Sequence, residues 1–274
     1  MNFEMSLIRS IFIHPVVKSM GFWSVAMLML LGLWQAVVSV FHVPAFIIPS
    51  PVATISALFQ NEVMIRGLLW QTFKETVAGY LVGAAVGVLL AVVMSQLPGL
   101  GRLLYPALVT SQAIPIVGIA APLVIIFGFG MTPKLIIVAW IVFFPVVVNM
   151  MDGLAHIDRD QINLARLLGA TPLRTFLYIR LPACLGPLFS GLKIGASYAV
   201  TGAVIGEWTA SSKMGLGTYL LAANAQMNSV GVYGAMLLMT LIGIGSFAML
   251  LLLEYVAMPW RHRATSPWRR APHI

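Results

Sequence analysis

The sequence predicts an all-α, polytopic membrane protein with six transmembrane helices, on three observations. Of its 274 residues, 60% are hydrophobic and 9% charged, with a mean hydropathy of +0.95, which is more apolar surface than a water-soluble interior can hide. Six predominantly apolar stretches, residues 22–41, 77–96, 105–129, 135–151, 191–211 and 232–258, are long enough to cross. Hydrocarbon about 30 Å thick takes about 20 residues of helix. Finally, twelve of the sixteen Lys and Arg residues fall on one side of that arrangement, leaving only Arg66, Lys74, Lys134 and Lys213 on the other. By the positive-inside rule both termini are cytoplasmic, and the net charge of +8 marks topology rather than a nucleic-acid partner.

Residues 1–21 form a weakly amphipathic cytoplasmic segment, with Phe3, Leu7, Ile8, Ile11 and Phe12 suited to the inner leaflet beside Arg9 and Lys18. The transmembrane domain spans 22–258. Its first span follows a basic leader and lacks a small-residue cleavage site, so it reads as an uncleaved helix. Residues 43–75 mix prolines and polar residues and predict an external loop, with a short helix over 52–61 lying along the membrane face. The second span is rich in small residues (Gly79, Gly83, Ala84, Ala85, Gly87, Ala91) that let a neighbour approach closely, which places it inside the bundle.

The third span carries Pro106, Pro115 and Pro122 with the polar pair Ser111 and Gln112. Prolines remove backbone hydrogen bonds, and irregular backbone at membrane depth survives only when buried in protein or lining a wet cavity. The span reads either as a pathway wall or as a kinked packing helix. The fourth span ends at Asn149 and Asp152. The basic tail, 259–274, carries Trp260 and Trp268 among its arginines and reads as a cytoplasmic anchor on anionic lipid. Cys184 is the single cysteine, which excludes an internal disulfide and any multi-cysteine metal site and fits a small apolar filler.

The loop of about 154–190 holds the most polar run between spans. Asp158 and Asp160 suit a helix N-terminus, Ile162, Ala165, Leu167 and Leu168 lie along that helix, and Gly169 ends it in a left-handed turn. Thr171 caps a second helix with Pro172 at its first position. Leu173, Phe176, Leu177 and Ile179 share one side of it, and Pro182 closes it. From pattern alone this is either a hairpin on the membrane surface or a handle for a soluble partner.

No Gly-x-x-x-x-Gly-Lys-Ser/Thr loop is present to cradle ATP, and the histidines, at 14, 42, 156, 262 and 273, are scattered without a His-Glu-x-x-His. Neither an enzyme nor a metal site is expected. Glu207 is the carboxylate well inside a span, where an ionisable group costs a few kcal/mol, so it faces the bundle interior or water, or else snorkels at the external end of its helix. Together with Gln112, Ser111, Trp140, Tyr198, Thr201 and Trp208 it makes up the pathway candidates, although each aromatic can equally be packing. No Lys or Arg sits mid-span to hold an anion, which favours a neutral or weakly cationic heterocycle as the permeating solute.

Asn163, Leu164 and Ala165, followed by Gly169 and Ala170 and then by Leu181 and Pro182, closely resemble the cytoplasmic loop of permease subunits of binding-protein-dependent ABC importers. Asn163 stands where that family usually has Glu, which would make salt bridges, and Leu164 where it usually has Ala. Ile48-Pro-Ser-Pro51, Phe127-Gly-Phe-Gly130 and Phe143-Phe-Pro145 look like the nitrate, sulfonate and taurine branch. Gly202 to Trp208, with Gly215-Leu-Gly217, looks closer still to members handling riboflavin or hydroxymethylpyrimidine, a thiamine precursor.

The resemblance implies a type I importer permease fold in the cell inner membrane and a coupling role for Asn163, Leu164, Ala165, Arg166, Leu167, Leu168, Gly169, Ala170 and Thr171. It also implies two ATP-binding subunits carrying ATP and Mg, a second permease subunit as a homodimer, and an extracytoplasmic solute-binding protein. This chain itself would hold no cofactor. An ion-coupled secondary transporter or channel is the alternative class, and a sulfonate, taurine or nitrate importer the alternative within the family.

Overall fold

In lipid every backbone N–H and C=O must find a partner within the chain, and the long apolar runs meet that demand as helices. The computed structural model describes residues 15–60, 62–210 and 213–259, so the N-terminal amphipathic residues through His14 and the tail from Trp260 lie outside the described residues. In chain order the helices are α1 (Pro15–Val40), α2 (Pro51–Gln60), α3 (Glu62–Gln96), α4 (Pro98–Ser111), α5 (Ile116–Phe127), α6 (Met131–Ala155), α7 (Arg159–Leu167) and α8 (Pro172–Thr175). A π-helical turn, Phe176–Arg180, leads into α9 (Leu181–Ala210), followed by α10 (Leu216–Ala225) and α11 (Ser229–Ala257).

The all-helical class holds, while the count of six spans is not reached among the described residues. Four helices are long and apolar enough to cross: α3, α6, α11 and the continuous Pro172–Ala210. A fifth crossing requires the bent pair α4 and α5 to count as one. The first predicted span falls within the 26-residue α1 up to Val40, of which the apolar part Val25–Val40 is the portion with described side chains. The third predicted span is broken rather than kinked, its halves meeting at 98°. Pro106 and Pro122 sit inside helices, and the break falls at 112–115, where Pro115 has extended dihedrals (φ −60°, ψ 121°). The predicted external loop 43–75 keeps its short helix as α2, but from Glu62 onward it is already α3.

The contacts divide the chain into two units. The first comprises residues through Leu68 together with Tyr219–Leu238. Within it Trp34 packs on Tyr233 with ring centres 5.6 Å apart, and the Ser229 hydroxyl donates to the Phe46 carbonyl.

The second comprises Leu69–Thr218 and the chain from Met239. Its core is a seam between α3, α6 and α9: Ala91, Val138, Val142, Val146, Met150, Cys184, Leu188, Ala199 and Ala203 are all buried. Small residues make the seam possible, because packing between helices in lipid depends on close backbone approach. A Cβ on Gly83 would lie 2.7 Å from the Ala139 carbonyl oxygen, so α3 and α6 are in backbone contact there. The expectation that the second span lies inside the bundle therefore applies to one face of α3. Leu81, Val82, Val86 and Leu89 on its other face are exposed.

Among the described residues two Lys–Glu ion pairs lie inside this unit. Lys193 on α9 donates to Glu254 on α11 at 2.6 Å, and Lys134 on α6 donates to Glu75 on α3 at 2.6 Å.

Candidate functional site

The loop between α6 and α9 is built from local signals. The Asp158 carboxylate accepts from the Asp160 N–H at 2.9 Å, which caps α7 and sets negative charge at its positive end. At the other end Gly169 has φ 77°, the left-handed region that glycine enters without steric cost. There the Gly169 N–H bonds the Arg166 carbonyl at 3.0 Å and the Ala170 N–H bonds the Ala165 carbonyl at 2.9 Å, forming a Schellman closure. Thr171 then accepts from the Arg174 N–H at 3.3 Å with Pro172 as the first residue of α8.

The second half of the loop departs from the expected amphipathic helix. The single α-turn of α8 widens into the π-turn Phe176–Arg180, where the Leu181 N–H reaches the Phe176 carbonyl five residues back. Pro182 supplies the reason. It has no N–H for the Tyr178 carbonyl, and its ring crowds that carbonyl, so the turn before it opens. Pro182 does not close the element, since α9 runs through it. The expected shared face is also divided, with Phe176 buried and Leu173 and Leu177 exposed.

Burial on α7 is inverted relative to a helix lying on its own core. Ala165 is the buried residue, whereas Leu167 is 85% exposed, Leu168 79%, and Leu164, Leu173 and Tyr178 are exposed as well. Asn163, Arg166 and Gly169 share the exposed surface, while Ala170 is half-buried. A capped, rigid turn thus displays a leucine patch set among polar residues. A shallow cleft at its base, lined by Asp152, His156, Asp158, Gln161 and Pro187, adds polar depth beside it.

The pathway candidates separate into groups. Tyr198, Thr201 and Trp208, spaced by three and seven residues along α9, lie on one exposed stripe of that helix. Ser111 and Gln112 sit at the α4–α5 break, with the Ser111 hydroxyl returned to the Leu108 carbonyl at 2.6 Å. Trp140 is half-buried, edge-on to Phe143 at 5.6 Å in a cluster with Met94 and Val147.

Glu207 is placed on neither stripe nor break. It is 1% exposed, and both its oxygens accept hydrogen bonds from the chain. The Thr72 hydroxyl donates to Oε1, and the N–H groups of Gly217 and Thr218 donate to Oε2 at 2.8 and 3.1 Å. The Leu216 N–H donates to the same Thr72 hydroxyl at 2.8 Å, and the Trp208 indole N–H to the Gly217 carbonyl at 2.9 Å. A Cβ at Gly215 would overlap the Glu207 carboxylate, so the turn must carry glycine there. Glu75 and Lys134 act on Glu207 electrostatically, completing a buried polar knot within the second unit.

Sequence reasoning flagged Glu207 and Trp208 and missed Thr72, Glu75, Lys134 and the 216–218 amides. Glu75 had been read as part of a loop and Lys134 as an external topological charge. The available signal was the spacing of Thr72 and Glu75 just ahead of a glycine-rich apolar run, where polar side chains at the head of a span need internal partners.

Comparison with known proteins bears on these surfaces together. A family model described as "Binding-protein-dependent transport system inner membrane component" matches residues 83–257. A probable ABC transporter permease protein of Haemophilus influenzae is 39% identical over 219 residues, 78% of this chain and 87% of that protein. The riboflavin transport system permease protein of Chloroflexus aurantiacus is 32% identical over 240 residues, covering 86% of this chain and 88% of its own length. The formylaminopyrimidine transport permease protein of Halalkalibacterium halodurans is 30% identical over 240 residues, 86% of this chain and 94% of that one.

Proposed function

Because the chain belongs to the family of inner membrane components of binding-protein-dependent transport systems, a permease subunit of an ABC importer and not itself an enzyme, we propose that its 163–171 loop is where ATP-driven force enters. The observation that carries this reading is the exposed Leu164, Leu167 and Leu168 patch on a helix capped at both ends. Large apolar side chains set among polar residues on a rigid turn are suited to a partner's groove. In this reading both termini and the loop are cytoplasmic, and two ATP-binding subunits hold ATP and Mg. A second copy of this chain completes the pathway, and an extracytoplasmic binding protein delivers solute. ATP-driven closure of the nucleotide subunits draws the two loops together and opens the pathway outward, and hydrolysis resets it.

Leu167→Asp combined with Leu168→Asp tests the loop. Burying a leucine at an interface contributes about 1.5–3 kcal/mol, so losing two weakens the ATPase subunit's hold by about 100-fold or more. Mild-detergent co-purification with that subunit, run beside the wild type, should lose the ATPase band while the permease remains monodisperse. Retention at wild-type stoichiometry rejects the assignment.

For the solute, we read Tyr198, Thr201 and Trp208 as pathway lining, with Ser111, Gln112 and Trp140 contributing from other helices, and Glu207 as serving the knot. A neutral or weakly cationic heterocycle of the pyrimidine or flavin type is supported by the relatives named for such solutes. It is supported too by Lys134 and Lys193, each engaged with a carboxylate rather than available to an anion, while Lys74 near the head of α3 lies over the Trp70 ring. The sulfonate reading has its own support in a relative named for aliphatic sulfonates, from Bacillus subtilis, that is 24% identical over 236 residues. Direct binding of a pyrimidine, a flavin and a sulfonate to the purified solute-binding protein decides between them: saturable sulfonate binding alone overturns the heterocycle.

A further inference from the structure

The chain passes between the two units at three points, after Leu68, after Thr218 and after Leu238. Two of these crossings are flanked, on the side of the second unit, by members of the buried knot. Thr72 lies one helical turn beyond the first crossing, and Gly217 and Thr218 are the last residues before the second. They are tied to one another through a single hydroxyl and a single carboxylate. The Thr72 Oγ1 accepts the Leu216 N–H and donates to Glu207 Oε1, while Glu207 Oε2 holds the next two N–H groups of the same turn.

Three successive backbone N–H groups are thus fixed by side chains from α3 and α9, with the Trp208 indole holding the Gly217 carbonyl from the other direction. The turn itself is closed by Thr218, whose hydroxyl both accepts from the Gly215 N–H at 2.8 Å and donates to the Gly215 carbonyl at 2.9 Å. Such a segment cannot shift relative to α3 or α9 without breaking several buried bonds at once, and buried unpaired groups are costly.

We propose that Thr72 and Glu207 are positioning residues that clamp the first and second crossings into one rigid anchor on the second unit. The 216–218 turn and the head of α3 then travel together with α9 during transport. This assignment gives Glu207 a mechanical part in the importer and rests on the importer reading only for its transport measurement.

The test uses the full chain as wild type, Thr72→Ser and Thr72→Val. Valine keeps the shape of threonine and removes both of the hydroxyl's hydrogen bonds, whereas serine keeps them. Amide hydrogen exchange followed by mass spectrometry on the purified chain reads the anchor directly. In Thr72→Val the 216–218 amides should exchange at least about tenfold faster. In Thr72→Ser they should match the wild type, and peptides over 138–147 in the core seam should be unchanged in both. In liposomes with the ATP-binding subunits, solute moved per ATP hydrolysed should fall at least about fivefold in Thr72→Val and recover in Thr72→Ser, the lost bonds being of the same size.

Unchanged exchange at 216–218 in Thr72→Val overturns the anchor, and so does acceleration spread evenly through the core, which marks general loosening. Wild-type solute-per-ATP stoichiometry with a freed turn overturns its role in transport. The exchange measurement needs neither solute nor partner, so it stands if the importer reading fails.

Discussion

Gly169→Pro stops solute uptake by the assembled transporter while leaving the helical bundle inserted and folded. Proline holds φ near about −65°, whereas residue 169 has φ 77°, so the chain cannot turn back at the end of α7. The Gly169 N–H to Arg166 carbonyl bond disappears with the N–H itself, and the Ala170 to Ala165 bond loses the turn that aligns it. The local cost is about 3 kcal/mol or more. It falls on the loop alone, because a Cβ at residue 169 meets nothing within 4 Å, so the defect is one of backbone direction rather than collision.

The leucine patch then points away from its groove, and transport should drop at least about 100-fold, since 3 kcal/mol is a little over two factors of ten. Gly169→Ala is the graded control. Alanine in a left-handed position costs about 1 kcal/mol and retains the N–H, so a partial loss is expected. Uptake assays in reconstituted vesicles, with permease content measured on the same membranes, give both values. Wild-type uptake by Gly169→Pro removes the loop from the mechanism.

That prediction depends on features that were legible without coordinates, because caps are local. Asp158 and Thr171 satisfy backbone groups within a few residues of themselves, Gly169 and Pro172 set the local dihedrals, and the structure places them as the spacing indicated. Non-local features were harder to read. Pro106, Pro115 and Pro122 look alike in sequence, yet only the neighbourhood of Pro115 breaks, because helix-interior prolines are tolerated where neighbouring groups compensate. Pro182 was read as a stop and instead widens the preceding turn and is absorbed into α9.

Glu207 illustrates the limit most clearly. Its unusual location was visible, but its partners come from residues 135 positions earlier and ten later, and no periodicity links them. The direction of the leucines on α7 was likewise invisible, since an amphipathic pattern states that two faces differ and not which of them meets the protein. The short helix α10 carried no signal that set it apart from the spans around it.

Lys134→Met is expected to be the most destabilising single change in the second unit. The ammonium lies 2.6 Å from Glu75 Oε1, both side chains are buried, and Gln71 donates to that same oxygen at 2.6 Å. Removing the cation leaves the Glu75 and Glu207 carboxylates together in a buried site, and breaking a buried pair from one side costs about 3–5 kcal/mol. Methionine retains the aliphatic stem that packs against Gly206, where a Cβ would lie 3.1 Å from the Lys134 Cα, so lost packing is not the cause. Removing both charges should restore most of the loss. Glu75 Oε2 is buried without a hydrogen-bond partner among the described residues, so that carboxylate is incompletely satisfied, and removing it together with the cation relieves an uncompensated buried charge. Thermal unfolding in detergent of the wild type, Lys134→Met, Glu75→Leu and the double variant gives the cycle. A coupling of about 2 kcal/mol or more, with the double variant more stable than Lys134→Met, is the expected result. Additive losses would mean that the two side chains act on stability through separate surroundings, and a Lys134→Met protein as stable as the wild type would mean that the site tolerates an uncompensated carboxylate.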